Sequence, residues 1–370
     1  MPIEQNFLIF IIMTIYLKRL DWLLNFGILF LFLAGLASLF STAPHLAWFQ
    51  LLWGTIGFGL IIWVANFDWR PFINYKWFIG SIYVVSVLLL VVTYFVAPPV
   101  RGVRGWLPIG PLQAQTSELA KFALILLYSW FFAKGHIGIA HFRTVGLSFS
   151  YFLIPAGLIL LQPDLGTVLI LFSIWFGYLL VSGLRWRQIF FAAVFFALVF
   201  AFMWTSVLKD YQKERILGLF NPARDPLGIN YSVIQSKIAI GSAGFFGKGF
   251  RQGTQVQLGF LPEAQTDFIF AALIEEFGVA LGLAAVGAFL LVFFEIMRIG
   301  IAADNNFSKF ICLGVSIVFL SHFILNVGSN LGLVPVVGVP FPFLSYGGSN
   351  LLVNSLLIGM IQGITMHKRF

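Results

Sequence analysis

The stretch LPEAQTDFIF, residues 261–270, sets a carboxylate, Asp267, where a polar loop passes into a long apolar run. Glu263 stands four residues before it, and Glu275 and Glu276 follow deeper in the run. Two readings are open for Asp267. It could cap the helix that follows, a role it would share with Thr266. It could instead be a general base towards a hydroxyl, provided burial raises its pKa while the helix N-terminus moderates the rise.

Other charges sit in equally expensive places. Glu118 and Lys121, in QTSELAKFALILL, are three residues apart and share one helix face, where they can neutralise each other. They are either an ion pair that orients helices, or a lysine for an anionic headgroup with Glu118 holding it in place. In PPVRGVRGWLPIG, Arg101 and Arg104 flank glycines beside Trp106. Two guanidiniums there suit bidentate binding of phosphate or carboxylate, or simply snorkel to lipid phosphates. Lys248 and Arg251 lie in GSAGFFGKGFRQGTQ, whose glycines let the backbone approach a ligand that the cations could neutralise. Asp164, in LQPDLGT, precedes an apolar run and reads as an N-cap, with a catalytic role as the alternative. The segment NVGSNLGLVPVVGVPFPFLSYGGSN is broken at Gly332, Pro335, Gly338, Pro340 and Pro342, then at Gly347 and Gly348. A looped element of this kind is tolerated at membrane depth only when packed in protein or lining a wet cavity. Ser345, Tyr346 and Gly347 are its candidate cavity-lining residues.

These residues need a frame, and the composition says which. Of 370 residues, 60% are hydrophobic and 10% charged, far fewer charges than a soluble domain carries. Ten apolar runs approach the length that crosses a bilayer: about 22–43, 46–66, 77–97, 115–133, 147–163, 165–183, 189–208, 267–297, 308–331 and 345–366. Without sustained alternation they read as helices, so the fold class is all-α, a polytopic membrane protein with one membrane domain over 1–370. Residues 209–266 form a long outside loop between spans seven and eight, in which 229–240 suits a short amphipathic helix. Residues 1–18 are a cytoplasmic extension; their apolar part, 6–16, has its basic residues after it and no evident cleavage site, so it is expected to stay attached. The basic residues gather in the even connections, which places both termini in the cytoplasm. Topology and anionic lipid then account for the net charge of +8 without nucleic acid. The single cysteine, Cys312, falls in the ninth span.

Taken together, RLDWLL, RGWLPIG…QTSELAK, QPDLGT, DPLGINYSVIQSKIAIGSAGFFGKGFRQGTQ, FLPEAQTDFIFAALIEEFG and GLVPVVGVPFPFLSYGGSN resemble the SEDS family (shape, elongation, division, sporulation) from about residue 19 to the end. The wording QSKIAIGS…GKG…GTQ favours the elongation branch over a division or sporulation member. The resemblance implies a ten-helix peptidoglycan glycosyltransferase of the bacterial inner membrane that polymerises lipid II at the outer face. It also implies a class B penicillin-binding protein as transpeptidase partner, alongside other elongation-complex proteins. Asp267, in the TDF motif, would be the essential catalytic residue; Arg101, Arg104, Lys121 and Lys248 would counter the leaving pyrophosphate, with Glu118 supporting Lys121. A divalent cation, Mg or Mn, could share that role, although no clustered ligand set demands one. Thr116 stands where the family usually has proline, and Asn350 where a small residue is common; neither is expected to touch the acid or the Glu118–Lys121 pair. A lipid-linked precursor flippase, or a scaffold without catalysis, are the alternatives; charge and glycine gathered at one edge rather than at the midplane favour an enzyme.

Overall fold

The computed structural model describes residues 20–100, 102–110, 112–135, 142–183, 186–206, 210–220, 225–228 and 230–367. The extension 1–18 and Arg101 lie outside these, as do the basic residues Lys18, Arg19, Arg185, Lys368 and Arg369 used for orientation.

Each of the ten apolar runs coincides with a helix. In chain order these are α1 (Trp22–Thr42), α2 (Pro44–Ala65), α3 (Lys76–Val96), α4 (Thr116–Gly135), α5 (Phe142–Leu161), α6 (Leu165–Val181) and α7 (Trp186–Ser206). After the long connection, which holds α8 (Asp210–Phe220), α9 (Tyr231–Ser242) and α10 (Thr254–Gln257), come α11 (Ile269–Ile301), α12 (Asn306–Leu331) and α13 (Gly348–Met366). Among the described residues, eight of these helices are long and apolar enough to cross a membrane, and α6 is a shorter apolar helix. The chain is a multi-pass membrane protein. Its surface agrees: Trp22, Phe26, Trp77, Phe95 and Leu198 are exposed, as residues facing lipid should be.

The structure departs from the expected elements in three places. A small hairpin of β1 (Trp106–Ile109) and β2 (Leu112–Gln115) pairs antiparallel before α4, so the fold is all-α except for this hairpin. The long connection carries α8 and α10 in addition to the expected amphipathic helix, which is α9. Finally, the run 267–297 is two helical legs and not one rod, because Gly278 inside α11 has φ 90° and ψ 167°. That backbone state is open to glycine alone.

The glycine-rich strap explains the break. At the break, Val279 and Ala280 donate their amides to the carbonyls of Gly244 and Phe245, while Lys248 and Gly249 donate theirs to Glu275 and Glu276 at 3.0 and 2.9 Å. The strap thus takes over backbone bonds that a continuous helix would have made internally. A side chain on Gly278 would meet the Phe245 carbonyl, and one on Gly247 would meet that of Glu276. The first leg, 269–276, is wholly buried, and the second, 279–301, is long enough to reach across a bilayer.

Between α12 and α13 the chain is not helical. Gly332 caps α12 in the left-handed conformation, and the segment 332–347 folds back into the protein. Val339, Phe341, Phe343 and Leu344 are buried; Phe341 packs edge-on against Phe289 of α11 and Phe323 of α12, which stack at 4.2 Å. This is the packed, looped element that the prolines and glycines announce.

Candidate functional site

Asp267 sits in the turn ahead of the first leg of α11, half-buried. Neither it nor Thr266 occupies the N-cap position of that helix. The helix begins at Ile269, its N-cap is Phe268 without a side-chain bond, and the Thr266 hydroxyl turns back to Glu263 at 3.2 Å. The main chain of Asp267 is held from α12. Its carbonyl accepts from Asn326 Nδ2 at 3.0 Å and from Asn330 Nδ2 at 2.8 Å, both on α12.

The looped segment 332–347 completes the mount. Ser345 Oγ donates to the Thr266 carbonyl at 2.7 Å, and the Tyr346 amide donates to that of Gln265 at 3.0 Å. Gln50 of α2 holds the other side, donating to the Ser345 carbonyl at 3.1 Å and accepting from the Gly347 amide at 3.4 Å. Ser345 and Tyr346 are thus tied to the two residues before Asp267 and Gly347 to Gln50, with Ser345 buried and Tyr346 and Gly347 half-exposed. Gly338, at φ 71°, lies beside the carboxylate itself: a Cβ there would stand 3.7 Å from Asp267 Oδ2. The left-handed turn keeps that approach open.

Glu118 and Lys121 form the expected pair at 2.8 Å, deep in the bundle and only 3% and 2% exposed. Two further partners surround them. His322 of α12 accepts from Lys121 Nζ through Nε2 at 3.0 Å and presents Nδ1 to the Pro340 carbonyl at 2.9 Å. Because a carbonyl only accepts, the proton belongs on Nδ1, which leaves Nε2 free to take the lysine's hydrogen. Asn350 Nδ2 donates to Glu118 Oε1 at 3.2 Å. The expectation that neither departure from the family wording touches this pair is therefore wrong for Asn350, because the first turn of α13 packs against α4. Thr116 bonds instead to Thr93 at 2.9 Å, and it opens α4 where the family has proline.

The remaining cations are placed differently. Lys248 Nζ is bound to Glu275 Oε1 at 2.6 Å and to Thr254 Oγ1 at 2.7 Å, so a protein carboxylate already balances it. Arg251 caps the strap, its guanidinium over Phe250 and donating to the Phe40 carbonyl at 3.3 Å. Arg104 is exposed on the hairpin side, its amide donating to the Gln162 carbonyl at 3.3 Å. Asp164 is the N-cap of α6, taking the Thr167 amide at 3.0 Å and hydroxyl at 2.7 Å. Burial pushes its carboxyl up from the usual range, and those two bonds oppose the rise. Among the described residues, no group of three or more His, Cys, Asp or Glu is placed to hold a metal ion.

The sequence reading passed over His322, Asn326, Asn330 and Gln50. The signal was there: His322, Asn326 and Asn330 recur every fourth residue, so they share one face of a largely apolar helix.

A family model for the FtsW/RodA/SpoVE cell cycle proteins matches residues 13–370. The peptidoglycan glycosyltransferase MrdB of Escherichia coli strain K12 is 36% identical over 316 residues, which is 85% of each chain. The peptidoglycan glycosyltransferase RodA of Treponema pallidum is 29% identical, with 94% of this chain and 95% of that one covered. Among solved structures, a chain of a peptidoglycan synthase complex that coordinates polymerization and crosslinking superposes with a TM-score of 0.81 at 28% identity, covering 95% of this chain and 99% of that one. The rod shape determining protein RodA of Thermus thermophilus matches with a TM-score of 0.68 at 26% identity, covering 94% and 96%.

Proposed function

Because the chain belongs to the SEDS family, the FtsW, RodA and SpoVE group, and is a peptidoglycan glycosyltransferase, we propose that it polymerises lipid II with Asp267 as the catalytic base. The observation that supports this reading is the mount of Asp267. Its main chain is gripped by two buried side-chain amides, and its carboxylate lies beside a glycine turn. A polar sugar joined to a membrane-embedded tail must react at the edge of the membrane.

In the proposed step, the 4-hydroxyl of the acceptor sugar attacks the anomeric carbon of the lipid-linked donor. The new C–O bond forms as the bond to pyrophosphate breaks; the pyrophosphate leaves with the electron pair, and the hydroxyl proton passes to the Asp267 carboxylate. Attack opposite the leaving group inverts the anomeric centre. Positive charge is needed where the pyrophosphate departs. Arg101 and Arg104 supply it on this reading. Lys121 and Lys248 act through the scaffold, since each is held by a carboxylate, Glu118 and Glu275. The site faces outward with both termini inside, in keeping with the distribution of basic residues. A class B penicillin-binding protein is the proposed crosslinking partner, consistent with the likeness to a complex in which polymerization and crosslinking are coordinated.

The test is polymerisation of labelled lipid II by the purified protein with its penicillin-binding partner, wild type against Asp267→Asn. The substitution preserves shape and removes charge. Glycan strands from wild type and none from a folded, partner-bound mutant are expected, and equal polymer from both would remove Asp267 as the base.

A further inference from the structure

One face of α12 is polar over three successive turns. His322, Asn326 and Asn330 are 1%, 1% and 0% exposed, in a helix built largely of apolar residues. Burial of such groups is costly unless every hydrogen-bonding atom is satisfied, so an apolar substitute would be the cheaper way to pack two helices. The bonds these residues make converge. Asn330 donates to the carbonyls of Asp267 and Asn326, both at 2.8 Å, and accepts from the Ala271 amide at 3.0 Å. Asn326 donates to the carbonyls of Asp267 and of Val339, at 3.0 and 2.8 Å, while its own Oδ1 is buried with no hydrogen-bond partner. His322, held by Lys121, fixes the next carbonyl, that of Pro340.

The two asparagines therefore touch both sides of the candidate active site. Asn326 joins the backbone of Asp267 to the backbone immediately after Gly338, the residue that flanks the carboxylate. Asn330 joins Asp267 to the first turn of α11. Interhelical asparagine pairs can serve as packing glue alone, in which case their bonds would fall between helices. Here three of the four donated bonds go to main-chain carbonyls outside α12, in the non-helical segments on either side of the carboxylate.

We propose that Asn326 and Asn330 are positioning residues for glycosyl transfer, holding the Asp267 main chain so that its carboxylate keeps one place relative to the Gly338 turn. The inference rests on the reading of Asp267 as base. Neither asparagine touches substrate in this account. Each acts through the angle and reach of the carboxylate, and a displacement of about 1 Å in such a group costs on the order of a hundredfold in rate.

The test uses the full chain with its penicillin-binding partner and labelled lipid II, comparing wild type with Asn326→Leu, Asn330→Leu, Asn330→Asp and Asp267→Asn. The leucines keep volume and remove the donors. Asn330→Asp keeps the acceptor for Ala271 but turns an oxygen towards the Asp267 carbonyl. The expected result is a fall in kcat of about ten- to a hundredfold per folded molecule in all three asparagine variants, with KM within about twofold. The acid limb of the pH–rate profile should also move by about half a unit or more, since the carboxylate's surroundings change. Should Asn330→Leu fail to fold, Asn326→Leu reads the same quantity, because Asn330 still holds the carbonyl. Losses that track only the folded fraction, with kcat and pH profile otherwise unchanged, overturn the inference. Wild-type kcat in the asparagine variants beside an inactive Asp267→Asn overturns the positioning role alone, whereas a fully active Asp267→Asn overturns the base and the positioning role with it.

Discussion

Lys121 shows how a single charge can be visible in a sequence while its circumstances are not. A lysine and a glutamate three apart in an apolar run stand out, because only a pair can reside there. What the spacing does not reveal is the company from other helices, His322 and Asn350, which arrives through tertiary packing. That company makes the pair interdependent. Lys121→Met would leave Glu118 with Asn350 alone and strip His322 Nε2 of its donor, so unfolding in detergent should show a loss of about 3–5 kcal/mol, typical for a buried pair broken on one side. Glu118→Gln combined with Lys121→Met should cost less than the lysine change alone, since no charge is left stranded. A melting curve unchanged in Lys121→Met would mean that water reaches the pair. The same logic separates Asp267, whose acid was legible, from the asparagines that hold it. Amides carry no charge, and hydropathy averages them away unless the fourfold spacing of 322, 326 and 330 is noticed.

At the scale of the element, hydropathy located the eight helices long and apolar enough to span among the described residues but could not see the backbone inside them. Gly278 lies in EEFGVALGL, a wording as ordinary for a continuous transmembrane helix as for a broken one. Its break follows from the strap 244–249, which is distant in sequence from the second leg it bonds. The hairpin was missed for a related reason: WLPIGPLQAQ is short, and it is tied at one end to a remote residue, Ser349, which takes the Gln115 amide at 3.1 Å. A paired comparison tests the break. Gly278→Ala should destabilise by about 1–3 kcal/mol from backbone strain, with more added by the Phe245 carbonyl that its Cβ would meet, and polymerisation should fall with it. Gly287→Ala, in the same helix with open space around it, should be neutral or stabilise by about 0.5–1 kcal/mol. Equal melting temperatures for the two variants would show that the first leg can join the second as one rod.

In the whole molecule, spans were legible because lipid imposes one demand on every crossing, and the site was half legible because its parts come from four remote stretches. The carboxylate is at 267, its clamps are at 326 and 330, its turn is at 338 and its ties are at 345 and 50. Beside the site, the connection that leads into it is fastened by a buried acid, Glu275, for which spacing alone suggested no task. Its carboxylate accepts the amides of Gln255 and Val256 at 2.9 and 3.1 Å, the Thr254 hydroxyl at 3.1 Å and the Lys248 ammonium at 2.6 Å, so one side chain of α11 fastens the strap to the helix that begins beside Asp267. Charge-assisted bonds of this kind are about twice as strong as neutral ones. Glu275→Gln would lose the ion pair and weaken the two amide bonds together while leaving Asp267 itself untouched. Amide hydrogen exchange should then report faster opening at residues 254–258, about tenfold or more, with little change in α12 and α13. Polymerisation should fall less than in Asp267→Asn, because the asparagine clamps on α12 do not depend on Glu275. If exchange instead rose equally across α12, the strap and the clamps would be one cooperative unit, and the site would open as a whole.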